Sequence, residues 1–298
     1  MKIAIVGGGS IGLLLAAFFS EEGQDVTVCT RTAEQADAIN AHGIKYQAAP
    51  DYSKIHRVSA ARVDAYREVP HYAIICVKQH RLPEVCSVLQ SSPIFRDSTL
   101  LFIQNGMGHV DTLRSLPQNN ILVGIVEHGA QKENHHEVRH TGKGKIKIAS
   151  FRGGIDKAFW GRMITGSFRI EGKDRLEFIM KEKLVVNSVI NPLTSLFRVQ
   201  NGDIEQNSFL TELAKLLFKE TCSILGINET TDAWEHVLRV CRSTAENRSS
   251  MLIDVEEGRQ TEIEAISGYL LKLAEGKGMD VPYTRFVYFG IKALERKK

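Results

Sequence analysis

The chain has little cysteine: five residues in 298, odd in number, widely spread and never paired as CxxC. Cys29, Cys76, Cys86, Cys222 and Cys241 therefore read as reduced thiols of a cytoplasmic protein, which excludes a disulfide framework. Long apolar runs are missing as well. No stretch approaches the roughly 20 residues that cross a bilayer, and the first apolar run breaks at Gly7, so neither a membrane span nor a signal peptide is expected. Charge of one sign is not in excess. With 38 basic and 35 acidic residues interspersed and a net charge of +3, the chain lacks the footprint of a nucleic-acid or membrane-surface binder. The tail Glu295-Arg296-Lys297-Lys298 reads as a frayed helix end. No internal period recurs, which excludes a solenoid.

What is present begins at residue 3. Ile3-Ala4-Ile5-Val6 has the unbroken apolar character of a buried parallel strand and leads into Gly7-Gly8-Gly9-Ser10-Ile11-Gly12, followed by an apolar helix over 13–22 stopped by Gly23. This is the GxGxxG dinucleotide fingerprint in its proper context. Gly7 makes the tight turn, Gly9 lets the backbone close on a pyrophosphate, and Gly12 lets helix and strand pack closely. Ser10 and Ile11 stand where the helix N-terminus offers N–H groups to phosphate. The second strand, Asp25-Val26-Thr27-Val28-Cys29-Thr30, carries no acidic residue at its end to hold a ribose 2′-hydroxyl and reads Thr30-Arg31-Thr32 instead. Arg31 can fork onto a 2′-phosphate, which points to NADPH/NADP⁺ as cofactor.

At this length two domains are expected. The first half alternates strands and helices. A helix over 33–42 closed by Gly43 precedes a polar region around Tyr52 to Arg67. Further strands follow at Tyr72-Ala73-Ile74-Ile75-Cys76-Val77, Thr99-Leu100-Leu101-Phe102-Ile103 and Ile121-Leu122-Val123-Gly124-Ile125-Val126. The pattern predicts a Rossmann-type, doubly wound parallel sheet, an α/β fold. Ligands bind beyond the carboxyl ends of such strands, where Lys78 and Gln104-Asn105-Gly106 stand. From Glu127 to Ser150 the chain turns polar and histidine-bearing, and reads as a hairpin appended to the sheet. His128, His135, His136 and His140 have no helical i, i+4 frame or nearby cysteine, so no metal is expected. Beyond Gly172 helices are predicted over 174–198, 209–226, 231–245, 261–276 and 282–295. The expected domains are therefore a cofactor-binding 1–172 and an all-helical substrate domain 173–298.

On the long helix, Lys183, Asn187 and Asn191 recur at i, i+4 and i+8 on one face, and Pro192 is expected to kink or end that helix and turn Asn191 out of its ladder. An ammonium and two amides on one line suit carboxylate, carbonyl and hydroxyl oxygens; the plainer alternative is a solvated stripe, although Asn is a mediocre helix former. Glu262, placed in a first helical turn behind Thr261, can serve the helix dipole alone. Ser249-Ser250 reads first as a cap pair.

With these residues in view the chain resembles the ketopantoate reductases nearly end to end. Lys183-Leu184-Val185-Val186-Asn187-Ser188-Val189-Ile190-Asn191-Pro192-Leu193-Thr194 is similar to that family's KxxxNxxxNPLT segment. Asn201-Gly202, Ser250-Met251-Leu252, Asp254 and Thr261-Glu262-Ile263 resemble its other substrate-site motifs. GxGxxG, Arg31, Cys76-Val77-Lys78 and Gln104-Asn105-Gly106 resemble its NADPH-site motifs. The resemblance implies NADPH-dependent reduction of 2-dehydropantoate to (R)-pantoate, a step towards pantothenate and coenzyme A. It implies Lys183 as general acid, Glu262 as the carboxylate that orients substrate or lysine, and Asn187, Asn191, Asn201 and Ser250 as substrate ligands. Asn105 would bridge cofactor and substrate, and Lys78 would serve the cofactor. Only Lys78 of its segment carries over, because Gln79-His80-Arg81 departs from the family pattern. The implied partner is a small-molecule substrate, with no nucleic acid or membrane and room for a homodimer. The alternatives are a β-hydroxyacid dehydrogenase-like oxidoreductase and a catalytically silent NADP(H) sensor, the latter with no use for Lys183 and Glu262 together.

Overall fold

The computed structural model describes residues 1–49, 52–163, 169–173 and 175–296. Asp174, where the sequence pattern opens the long helix, and the tail residues Lys297 and Lys298 lie outside them. The chain divides into two compact units: Met1–Gln104 with Asp111–Leu176, and Asn105–Val110 with Glu177–Lys298. The short segment Asn105–Val110 thus groups with the later helices, although in sequence it follows the parallel strand Thr99–Phe102.

In chain order the strands are β1 (Lys2–Val6), β2 (Asp25–Thr30), β3 (Ile44–Ala49), β4 (Tyr52–His56), β5 (Ser59–Arg62), β6 (Tyr72–Ile75), β7 (Thr99–Phe102), β8 (Ile121–Val126), β9 (Gly129–Lys132), β10 (Glu137–Gly142), β11 (Lys145–Arg152) and β12 (Arg169–Lys173). The first helices are α1 (Ser10–Glu21), α2 (Ala33–His42), α3 (Leu82–Ser91), α4 (Val110–Arg114) and α5 (Lys157–Arg162). One sheet runs β12-β11-β8-β7-β6-β1-β2-β5, with β5, β2, β1, β6, β7 and β8 mutually parallel. Strand order reverses between β1 and β6, so the crevice at a topological switch point lies beyond Val6 and Ile75. The α/β class and the doubly wound sheet are as the alternating pattern predicts.

Helix α1 explains the rest of this unit. Its residues from Gly12 to Phe19 are all buried, so it is apolar all round and needs cover on every side. Strands β1 and β2 cover one face; β3, β4, β9 and β10 cover another. These last four form a separate sheet ordered β4-β3-β10-β9. The hairpin expected over Glu127 to Ser150 is therefore corrected: β9 and β10 pair in this second sheet, and only β11 joins the large one, antiparallel to β8. The polar region from Tyr52 also holds strands, β4 and β5, because one strand of a half-exposed sheet needs few apolar residues.

Two histidines of this segment, His128 and His140, bond to each other, and His140 bonds tyrosine. Tyr46 Oη lies 3.0 Å from His140 Nδ1, and His140 Nε2 lies 3.0 Å from His128 Nδ1, on the face that covers α1. Burial, with the neighbouring His140, pushes His128 down to about 4, and burial lowers His140.

In the second unit α6 (Leu176–Phe197) is followed by α7 (Asp203–Gln206), α8 (Ser208–Leu225), α9 (Thr231–Ser243), α10 (Ser250–Glu256), α11 (Tyr269–Gly276) and α12 (Pro282–Glu295). The capping chemistry is regular. Asn207, Thr230 and Ser249 accept N–H groups from the first turns of α8, α9 and α10, and Gly226 closes α8 at φ 64°. Pro192 neither ends α6 nor turns Asn191 out of it. The helix runs on to Phe197, with Thr194 and Ser195 hydroxyls donating back to the Ile190 and Asn191 carbonyls. Packing of the buried Val189, Ile190 and Leu193 outweighs the single hydrogen bond that proline removes.

The buried imidazoles yield a pH prediction. They stay neutral in the fold and take up protons once unfolded, so their stabilisation is complete above 6.5 and is lost as pH falls towards about 4. Melting temperature should decline already between pH 6.5 and about 5, above the ordinary carboxylate range, and His128→Gln should make that decline shallower. An unchanged slope in the variant would remove His128 from the account.

Candidate active site

The glycine loop follows the division of labour its spacing predicts. Gly7 adopts φ +114°, and a Cβ there would stand 2.9 Å from Val77 Cγ1. At Gly12 a Cβ would stand 1.9 Å from the Gly7 carbonyl oxygen, so helix and turn touch backbone to backbone. Gly9 is different: nothing lies within 4 Å of where its Cβ would be. It is also the N-cap of α1 and contributes no side-chain hydrogen bond, so the first turn, with Ser10 and Ile11, presents its amides to the open side. A phosphate group fits there.

Arg31 is exposed directly after β2, and among the described residues it makes no hydrogen bond or ion pair. Lys78 is half-buried directly beyond Cys76-Val77, and its carbonyl accepts the Arg81 N–H at 2.9 Å. Of two further residues near the loop, Gln104 stands in the singled-out Gln104-Asn105-Gly106 segment, while Lys132 has no signal in the sequence. Gln104 Nε2 donates to the Ile75 and Val77 carbonyls at 2.7 and 2.9 Å, which fixes the end of β6. Lys132, at the end of β9, donates to the Gly8 carbonyl at 3.1 Å. Only a strand pairing seen in three dimensions brings Lys132 there.

The second unit joins two residues far apart in sequence. Asn105 Nδ2 donates to Glu262 Oε2 at 2.8 Å. Gly106 makes the approach feasible: its φ is +77°, and a Cβ would fall 2.2 Å from the Ala265 carbonyl oxygen. Glu262 stands before the helix rather than within its first turn, and its carbonyl accepts the Ala265 and Ile266 N–H groups at 3.0 and 3.2 Å. A π-helical turn, Glu264–Gly268, follows and runs into α11; such turns recur at functional sites. Thr261 is committed to structure, with its N–H and hydroxyl both donating to Glu295 Oε1.

Along α6, Lys183 and Asn187 are half-buried and Asn191 is buried, on one line because the helix is continuous through all three. Thr194, one turn on, shares a hydrogen bond with Ser249 Oγ at 2.7 Å, and Ser249 caps α10 by accepting the Leu252 N–H. This contact sets Ser250, the exposed first residue of α10, beside α6. The capping role expected for the serine pair thus belongs to Ser249. Asn201 is placed differently: its Nδ2 donates to Thr244 Oγ1 and its backbone N–H to the Asn247 carbonyl, pinning the chain after α6 to the end of α9. Asp254 holds Arg259 at 3.0 Å.

Residues 3–153 match the family described as ketopantoate reductase PanE/ApbA, and residues 176–295 match its C-terminal part. The chain belongs to the ketopantoate reductase family. It is 41% identical over 304 residues to a curated 2-dehydropantoate 2-reductase of Bacillus subtilis, covering 99% of this chain and 98% of that one. A 2-dehydropantoate 2-reductase of Listeria monocytogenes is 36% identical, covering 99% and 97%. Among solved structures, a probable 2-dehydropantoate 2-reductase from Bacillus subtilis superposes with a TM-score of 0.88 at 40% identity, covering 99% of this chain and all of that one. Members of the family use NADPH, and the open Gly9, the uncapped α1 N-terminus and the unpaired Arg31 are what that cofactor's phosphates require.

Two glycines separate folding from binding. Gly12→Ala should cost about 1–3 kcal/mol or more, because backbone must move, and should be read as a fall of several degrees in melting temperature. Gly9→Ala should leave stability within about 0.5 kcal/mol but weaken NADPH binding about tenfold or more, measured by titration of cofactor fluorescence. Equal behaviour of the two variants would contradict the division.

Proposed function

We infer that this chain is an NADPH-dependent 2-dehydropantoate 2-reductase, which reduces ketopantoate to (R)-pantoate on the route to pantothenate and coenzyme A. The observation that carries the reading is the alignment of Lys183, Asn187 and Asn191 on α6 in a chain 41% identical, nearly end to end, to a curated enzyme of that name. The Asn105–Glu262 hydrogen bond supports it.

When bound, NADPH supplies the hydride that reaches C2 of the substrate. The protein's own work is electrostatic and acid–base. Lys183 sets its ammonium at the C2 oxygen, stabilises the negative charge that develops there and gives up a proton from Nζ, so that the alkoxide leaves as a hydroxyl. The neutral amine then regains its proton from solvent. Asn187, Asn191 and Ser250 offer neutral donors and acceptors to carboxylate and hydroxyl, which fixes the carbonyl face. Glu262, held by Asn105, accepts a hydrogen bond from the substrate hydroxyl or the lysine and orients it. Asn201 has its amide nitrogen engaged by Thr244, and its buried Oδ1, which has no hydrogen-bond partner among the described residues, is the acceptor it can offer a substrate hydroxyl. Arg31 holds the 2′-phosphate, Lys78 the cofactor beyond β6. The proposal places the enzyme in the cytoplasm, in keeping with five unbridged cysteines. Among the described residues no helix is long and apolar enough to cross a membrane.

The test follows nicotinamide absorbance with purified protein against ketopantoate and other branched 2-keto acids with NADPH and NADH, and against 3-hydroxyisobutyrate with NADP⁺ and NAD⁺. Ketopantoate with NADPH should be the preferred pair. Lys183→Ala should cut turnover about a hundredfold or more with NADPH binding intact. Tight NADPH binding with no turnover of any 2-keto acid, or a Lys183 variant at near full rate, would overturn the reading.

A further inference from the structure

The segment from β9 to β10, which the sequence pattern appends to the large sheet, instead reaches back to the glycine loop, once directly and once through Gln35. Lys132 Nζ donates to the Gly8 carbonyl at 3.1 Å. Gln35, from α2, donates through Nε2 to the same carbonyl at 2.8 Å and to the His135 carbonyl at 2.9 Å. Lys132 is therefore held in place at the glycine loop by a neutral oxygen, with ammonium protons left to donate. Among the described residues it makes no ion pair. Its sequence neighbour Glu133 is engaged elsewhere, by Arg139 at 2.9 Å.

We propose that Lys132 is a second cation for the 2′-phosphate of NADPH, acting together with Arg31. The two come from opposite ends of the unit's sequence, the end of β2 and the end of β9. A half-buried ammonium and an exposed guanidinium, neither in an ion pair among the described residues, repel one another until an anion arrives, and a phosphomonoester dianion satisfies both. Burial lowers the Lys132 pKa and the Arg31 charge lowers it further, as expected for two cations that share a locality. The second sheet, whose strands cover α1, thereby also contributes to choosing the cofactor. The assignment rests on the NADPH reading above.

Calorimetric titration with adenosine 2′,5′-bisphosphate and with 5′-AMP tests it without any turnover. Lys132→Gln removes the charge but keeps a donor for the Gly8 carbonyl. It should bind the bisphosphate about tenfold or more weakly, bind 5′-AMP within about twofold of wild type, and melt at an unchanged temperature. Lys132→Arg should recover most of the bisphosphate affinity. Unchanged bisphosphate binding in Lys132→Gln would overturn the proposal, and an equal loss for both nucleotides would overturn it in favour of a clamp on the glycine loop. A wild type that binds the two nucleotides equally well would refute the NADPH reading itself, a failure visible before any variant is made.

Discussion

A single hydrogen bond, from Asn105 Nδ2 to Glu262 Oε2 at 2.8 Å, sets the constraint on which the candidate site depends. It spans 157 positions of sequence, and it exists because Gly106 turns with φ +77° against the Ala265 carbonyl. Any side chain at residue 106 would push the two backbones apart. The π-helical turn that follows Glu262 places Ala265 at that contact. An ionised carboxylate that accepts an amide proton keeps further lone pairs for other donors, so the pair positions Glu262 without exhausting it.

The helical residues around that pair are held by contacts of modest individual strength. Thr194 bonds Ser249, Asn201 bonds Thr244, and Thr261 bonds Glu295, each a buried or half-buried polar group with a defined partner. Removing one partner leaves the other unsatisfied, so residues that do no chemistry still cost stability when they are replaced. In the first unit the corresponding constraint is α1, apolar on all sides, which draws a second sheet over itself and so carries Lys132 to the glycine loop.

Sequence periodicity disclosed most of this architecture, because parallel strands such as Ile121–Val126 are buried on both faces and read as apolar runs. Helices α6, α8, α9 and α12 were equally legible from their amphipathic spacing and caps. Strands β3 to β5 were not, since a half-exposed strand such as Tyr52–His56 shows one buried residue in five. Pro192 misled for a different reason: burial of its neighbours outweighs the lost backbone bond, so the helix continues to Phe197. The line Lys183, Asn187, Asn191 was visible as spacing alone. The Asn105–Glu262 contact, the Gln104 tie to β6 and the place of Lys132 depend on long-range pairing, which local pattern cannot carry.

The central claim is that Asn105 and Glu262 act as one unit in the reduction of ketopantoate. A double-mutant cycle on kcat/KM, with Asn105→Ala, Glu262→Gln and the pair combined, measures this directly. The account predicts a substantial loss in each single variant and little further loss in the double, a coupling of about 1–3 kcal/mol. Additive losses, or a single variant with wild-type kcat/KM, would contradict it.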